Sequence, residues 1–177
     1  MAPEHVAHST ELFTLGKGIV KFDRFDVDGL PTGLRDVGNA PAFNLTIEIE
    51  KIEHITSREG IGTVDWTRTK IRRLKGNFEL DEFDRENLRL WLFGQTGSFA
   101  IAPLTSGDLI GTLDFWPTND IGPNYHYEGW RVKLSPTGNL GLISDELGKF
   151  GFEFEAETDV DTHPESPYGL LTLIGES

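Results

Sequence analysis

An all-β fold with one flanking α-helix, its strands packed as two β-sheets in a sandwich or barrel, is the class this sequence predicts. Three observations predict it: eight or more short segments of strand character, glycine- and proline-rich turns between them, and a lone segment with complete helix punctuation. The 177 residues fit one domain, 1–177, large enough to bury a proper core.

Residues 1–14 are polar and weakly patterned and are read as an N-terminal arm. Leu15–Asp26 is a first strand, and Asp28–Gly33 and Val37–Pro41 are dense in turn residues. Phe43–Glu50 alternates strictly: Phe43, Leu45, Ile47 and Ile49 fall on one face, Asn44, Thr46, Glu48 and Glu50 on the other. Glu53–Arg68 holds Gly60, Gly62 and Trp66 without a sustained period and predicts a long hairpin loop, a kind that is usually functional or disordered. Thr69–Glu82 resumes the alternation, with Phe78 and Leu80 inward and Glu79 and Asp81 outward.

The helix follows at residues 84–94. Asp84 is placed to cap the free amides of the first turn. Phe83 and Leu88 are spaced as a hydrophobic staple. Leu88, Trp91 and Leu92 form the apolar stripe, and Gly94 is the stop. Beyond it, Phe99–Leu104 and Asp108–Phe115 read as strands and Trp116–Tyr125 as a loop. Tyr127–Leu134 alternates, Ser135–Gly138 is a tight turn, and Leu140–Ser144 is a short strand. Phe150–Glu157 (FGFEFEAE) alternates most cleanly, and Leu170–Ile174 is the last strand.

With 16 Lys and Arg against 29 Asp and Glu, the formal net charge is -13, a field that repels nucleic acid and anionic membrane. No cysteine is present, so disulfides and thiolate metal sites are excluded. No apolar run approaches the roughly 18–20 residues of a membrane span. The N-terminus lacks the pattern of a secretory signal, which points to synthesis and assembly in the cytoplasm.

Recognisable chemistry is missing. His5, His8, His54, His126 and His163 show no metal-ligand spacing, Gly16-Lys17-Gly18 lacks the rest of a phosphate loop, and no Gly-x-Ser-x-Gly elbow occurs. The sequence predicts no enzyme, no metal site and no cofactor. A carbohydrate-binding β-sandwich, with Trp116, Tyr125, Tyr127 and Trp130 as its platform, is an alternative.

Charge is instead unevenly spread. Lys51–Lys75 holds seven of the sixteen bases (Lys51, Arg58, Arg68, Lys70, Arg72, Arg73, Lys75) against three acids; Asp145–Glu165 holds eight acids against Lys149. A basic hairpin meeting an acidic region of the next subunit is a heterologous contact, which builds rings or open stacks. An unpartnered mixed-charge loop explains the same residues. Glu48 and Glu50, Glu79 and Asp81, and Glu153, Glu155 and Glu157 lie opposite the apolar side chains of their strands. On one sheet they would form an acidic surface suited to lining a passage for a polyanion, or simply a solvated face.

LGKGIVKFDRF (Leu15–Phe25), GNAPAFNL (Gly38–Leu45) and RLKGNFELDEFDRENLRLWLFG (Arg73–Gly94) resemble segments of the major tail tube proteins of long, non-contractile-tailed bacteriophages. Phe150–Glu157 and its turn-rich tail are similar to that family's closing strands. The likeness runs loosely over about residues 15–174. It implies two packed sheets with a flanking helix and six subunits per ring. Rings stack through the arm 1–14, the loop 53–68 and other loops into a virion tail tube. The lumen holds the tape measure protein, later conducts genomic DNA without sequence-specific binding, and is commonly acidic. The tube also meets tail terminator and tip proteins. On this reading Glu48, Glu50, Glu79, Asp81, Glu153, Glu155 and Glu157 are candidates for the lumen face, and Arg58, Trp66, Arg68, Lys70, Arg72 and Arg73 for inter-ring contacts. The tube of a secretion or contractile injection device shares the architecture.

Overall fold

The computed structural model describes residues 9–58, 60–95 and 99–175. Among them eight strands form an antiparallel sheet: β1 (Gly18–Arg24), β2 (Arg35–Asp36), β3 (Ala42–Ile55), β4 (Val64–Leu80), β5 (Leu109–Pro117), β6 (Asn124–Thr137), β7 (Phe150–Ala156) and β8 (Leu170–Ile174). One helix, α1 (Arg85–Trp91), falls between β4 and β5. The strand order is β2-β1-β5-β6-β7-β4-β3, and β8 pairs with the N-terminal part of β6.

The strands form one continuous sheet rather than the two expected, and this sheet bends over itself. Phe43 of β3 stacks on Phe115 of β5 at 4.7 Å between ring centroids, although β6, β7 and β4 lie between those strands in the hydrogen-bonded order. Phe43 also meets Phe78 and Phe154. The alternation of β7 buries Phe150, Phe152, Phe154 and Ala156 and turns Gly151, Glu153 and Glu155 outward. Val20, Phe22, Leu113, Tyr127 and Leu134 complete the core from the other half. A Cβ at Gly76 would collide with the Asn44 carbonyl oxygen and the Phe154 ring, so only glycine lets β3, β4 and the Phe154 ring approach there.

Helix α1 starts as its sequence demands: the Asp84 carboxylate accepts from the Glu86 amide at 3.0 Å. Its end and its buried face differ from expectation. The left-handed residue is Phe93 (φ +50°), not Gly94, whose amide bonds the Arg89 carbonyl at 2.8 Å. Asn87, Arg89 and Leu90 are buried, whereas Leu88, Trp91 and Leu92 are only half-buried. The helix is therefore anchored by polar groups. Asn87 is fully buried, donates to the Val37 carbonyl at 2.7 Å, and accepts from Arg35 at 2.6 Å. Phe83 packs edge-on against Phe150.

Four other expectations are corrected. The hairpin is strand well into residues 53–68: Glu53 pairs with Thr67, His54 with Trp66 and Ile55 with Val64, which leaves a connection of residues 56–63. Ser135–Gly138 does not close a turn; β6 runs on through Pro136 and Thr137, opposite Phe152 and Gly151. Leu140–Ser144 is irregular and exposes Leu142 and Ile143. Phe99–Leu104 is also not strand. Leu104 instead donates to the Leu92 carbonyl and folds back on the helix end. No described helix is long and apolar enough to cross a membrane.

Candidate assembly surfaces

β7 pairs with β4 only from Lys75 to Leu80. Beyond that, Ile47–Ile55 and Val64–Leu74 continue as a two-stranded ribbon with no third strand among the described residues. Bulges at Glu50/Lys51 and His54/Ile55 re-aim its side chains. Ile47 is 71% exposed, and Ile49, Ile52, Ile55, Val64 and Trp66 are also exposed. A two-stranded hairpin is at best marginally stable alone in water, and contiguous apolar surface marks a contact site.

The expected contact cations divide into two groups. Arg68 lies opposite Ile52, Arg72 opposite Ile49, Lys70 in the first bulge, and Arg58 in the tip connection. Among the described residues none of these four has an ion-pair partner. Arg73 is engaged inside its own chain. It bonds Glu50 and lies 3.6 Å from Glu48 and 3.4 Å from Glu155. The neighbouring Lys75 binds Glu48 at 2.5 Å. That hydrogen bond holds the Glu48 carboxyl below its ordinary range, and the bond to Glu50 raises Arg73. Trp66 is half-exposed opposite His54, whose Nδ1 is 2.5 Å from Asp65.

The acidic strands are neighbours. Glu48 faces Arg73, Asn77 faces Glu153, Lys75 faces Glu155 and Glu79 faces Gly151, so these residues share one face across β3, β4 and β7. Arg73 and Lys75 alternate with the acids on that face. Glu157, just past β7, pairs with Arg131 at 2.7 Å. Asp81, just past β4, accepts from Asn39 at 2.7 Å. Arg73 and Lys75 have the sequence parity of Glu79, a signal that reveals the mixed face once attended to. At the N-terminus, residues 1–8 lie outside the described residues. A 3-10 turn at Thr10–Leu12 follows, with Leu12, Phe13 and Leu15 exposed, and the Leu15 amide bonds Ile121.

The four residues of a carbohydrate platform are not brought together. Tyr127 is buried in the core. Trp130 stacks on His163 at 4.1 Å and donates to the Ser166 carbonyl. Trp116 packs against His126, and Tyr125 points to the other face of β6. Sequence spacing also missed a trio that the β5–β6 register assembles: Asp114, His126 and Glu128.

A family model described as "Protein of unknown function UCP028589" matches residues 13–112, more than half of the sequence. The chain belongs to that family. The matched segment contains the ribbon, α1 and most of the first expected motifs. No curated protein matches the chain. A solved structure described as "Tail of empty GTA particle computed with helical refinement, C6 symmetry" is similar over 96% of this chain and 100% of its own, at 13% identity and a TM-score of 0.38.

Proposed function

We propose that this protein is a structural subunit that assembles with copies of itself into stacked rings, as the tube of a phage-type tail. The observation that carries the reading is the projecting ribbon. Its exposed apolar side chains and its Arg58, Arg68, Lys70 and Arg72, which have no ion-pair partner among the described residues, are matched by a second copy. The loop between β6 and β7 has complementary character, with exposed Leu142, Ile143 and Leu147 beside Asp145 and Glu146. Ribbon and loop are different patches, so their contact is heterologous and propagates into rings or stacks. The sequence resemblance supplies the finer reading. On it, six subunits form a ring, the face bearing Glu48, Glu50, Glu79, Glu153, Glu155 and Glu157 lines the lumen with Asp81 at its edge, and the lumen holds a tape measure protein and then DNA.

Negative-stain electron microscopy with light scattering across concentration tests this, paired with hydrogen exchange of the ribbon amides. Rings or hollow tubes are expected, with ribbon amides protected only on assembly. A strict monomer whose ribbon amides are as protected as those of β7 shows a self-sufficient ribbon and sinks the proposal.

A further inference from the structure

The outer face of β5 and β6 carries a cluster unrelated to the ribbon. Asp114 and Glu128 are direct partners in the β5–β6 register, and His126 lies two residues before Glu128 on the same face. His126 Nε2 is 2.5 Å from Asp114 Oδ1, and Nδ1 is 3.9 Å from Glu128 Oε2. One donor atom from each residue falls within 4.8 Å of the others. Asp114 is 8% exposed, His126 is nearly as buried, and the Trp116 ring closes one side, its centroid 4.6 Å from that of His126. Among the described residues no Lys or Arg forms an ion pair with either carboxylate, and the Asp114 carboxylate has no polar partner outside the trio.

Two carboxylates flank one imidazole here, and among the described residues Lys21, the register partner of Asp114 on β1, forms no ion pair with it. Holding the buried Asp114 charge away from water is costly unless it is paired, whereas Glu128 keeps partial access to solvent. We propose that Asp114, His126 and Glu128 bind a divalent transition-metal ion of the zinc class. Zinc takes imidazole nitrogen at about 2.0–2.1 Å and carboxylate oxygen at about 2.0–2.2 Å, usually four-coordinate. The ion takes the place of the proton between Nε2 and Oδ1, which leaves to solvent. Glu128 turns in as third ligand and water fills the fourth position. Mg²⁺ and Ca²⁺ need six or more ligands, nearly all oxygen, and fit this set poorly. The bound ion would tie β5 to β6 across their outer face.

Titration calorimetry of the chelator-treated full chain with zinc chloride tests the site. One ion per chain is expected, with affinity falling more than about 10-fold in both His126→Ala and Glu128→Gln. A melting rise of roughly 5 °C should accompany saturating zinc. Glu128 is partly exposed, so Glu128→Gln keeps the test valid if His126→Ala fails to fold. His163→Ala and a combined His5→Ala, His8→Ala variant should bind as the parent does. The proposal fails if no zinc binds, if binding survives Glu128→Gln, or if it is lost with His5 and His8.

Discussion

Replacing Tyr127 by phenylalanine should exchange a small loss of stability at neutral pH for a gain in strong alkali. The phenol lies among Phe43 and Phe154, at 6.3 Å between centroids in each case. Burial pushes its pKa from 10.0 up to about 12. The unfolded chain ionises this phenol at its ordinary value, and the folded chain resists until two units higher. A raised folded pKa gives stability that is intact below pH 10 and is lost as pH rises to about 12. At about 1.36 kcal/mol per unit the ceiling is about 2.7 kcal/mol, of which about 1.4 is gone by about pH 11. At neutral pH the hydroxyl has a long hydrogen bond, 3.4 Å to the Tyr168 carbonyl, so its removal costs about 0.5–1.5 kcal/mol. The two stability curves should therefore cross between about pH 10 and about pH 11, with the variant the more stable beyond the crossing. Urea unfolding of both proteins from about pH 8 to about pH 12, followed by tryptophan fluorescence, reads the difference. A gap that stays constant across that range refutes the reasoning, because lysine titration is common to both proteins and cancels.

Asn87→Ala should be the costliest small substitution in α1, about 2–4 kcal/mol, because it strands the Val37 carbonyl and one Arg35 hydrogen bond. Leu88→Ala, at a half-buried position, should cost about 1 kcal/mol, and chemical denaturation of both variants compares them. Arg68→Glu with Arg72→Glu should reduce light scattering by assemblies at low salt while leaving the monomer's melting temperature unchanged. Arg73→Glu should lower that melting temperature, because it sets a further carboxylate among Glu48, Glu50 and Glu155.

Where sequence pattern and local chemistry agreed, the fold was legible. β7 follows its alternation closely, β8 occupies the expected Leu170–Ile174, and the Asp84 cap lies where the side-chain chemistry puts it. The ribbon was misread because two bulges break the alternation that marks a strand. Pro136 disguised the end of β6 as a turn, and Leu142 and Ile143 suggested a strand although they are exposed. The polar seat of α1 was hidden because an apolar stripe says nothing of which face meets a strand end. Strand neighbourhood is a long-range property, so no local pattern places β7 beside β4 or Asp114 beside Glu128.

The ion pairs on the acidic face have a position that bears on the ribbon. Lys75 opposite Glu155 is the pair at which β7 leaves β4 and the ribbon becomes free. There Arg73 and Lys75 each reach Glu48 of β3 and Glu155 of β7, so two cations of β4 span three strands at the ribbon's root. Single exposed pairs contribute little, whereas a network joined through common members can hold a geometry. We infer that this network braces the ribbon as it leaves the sheet. Salt screens exposed charges, so hydrogen exchange at the ribbon root should quicken between about 0.01 and 1 M salt, while β7 amides facing β6 should not respond. Glu50→Gln, which removes one contact of Arg73, should reproduce part of that effect at low salt. If the root amides ignore both salt and Glu50→Gln, the backbone ladder and the Gly76 approach alone fix the ribbon.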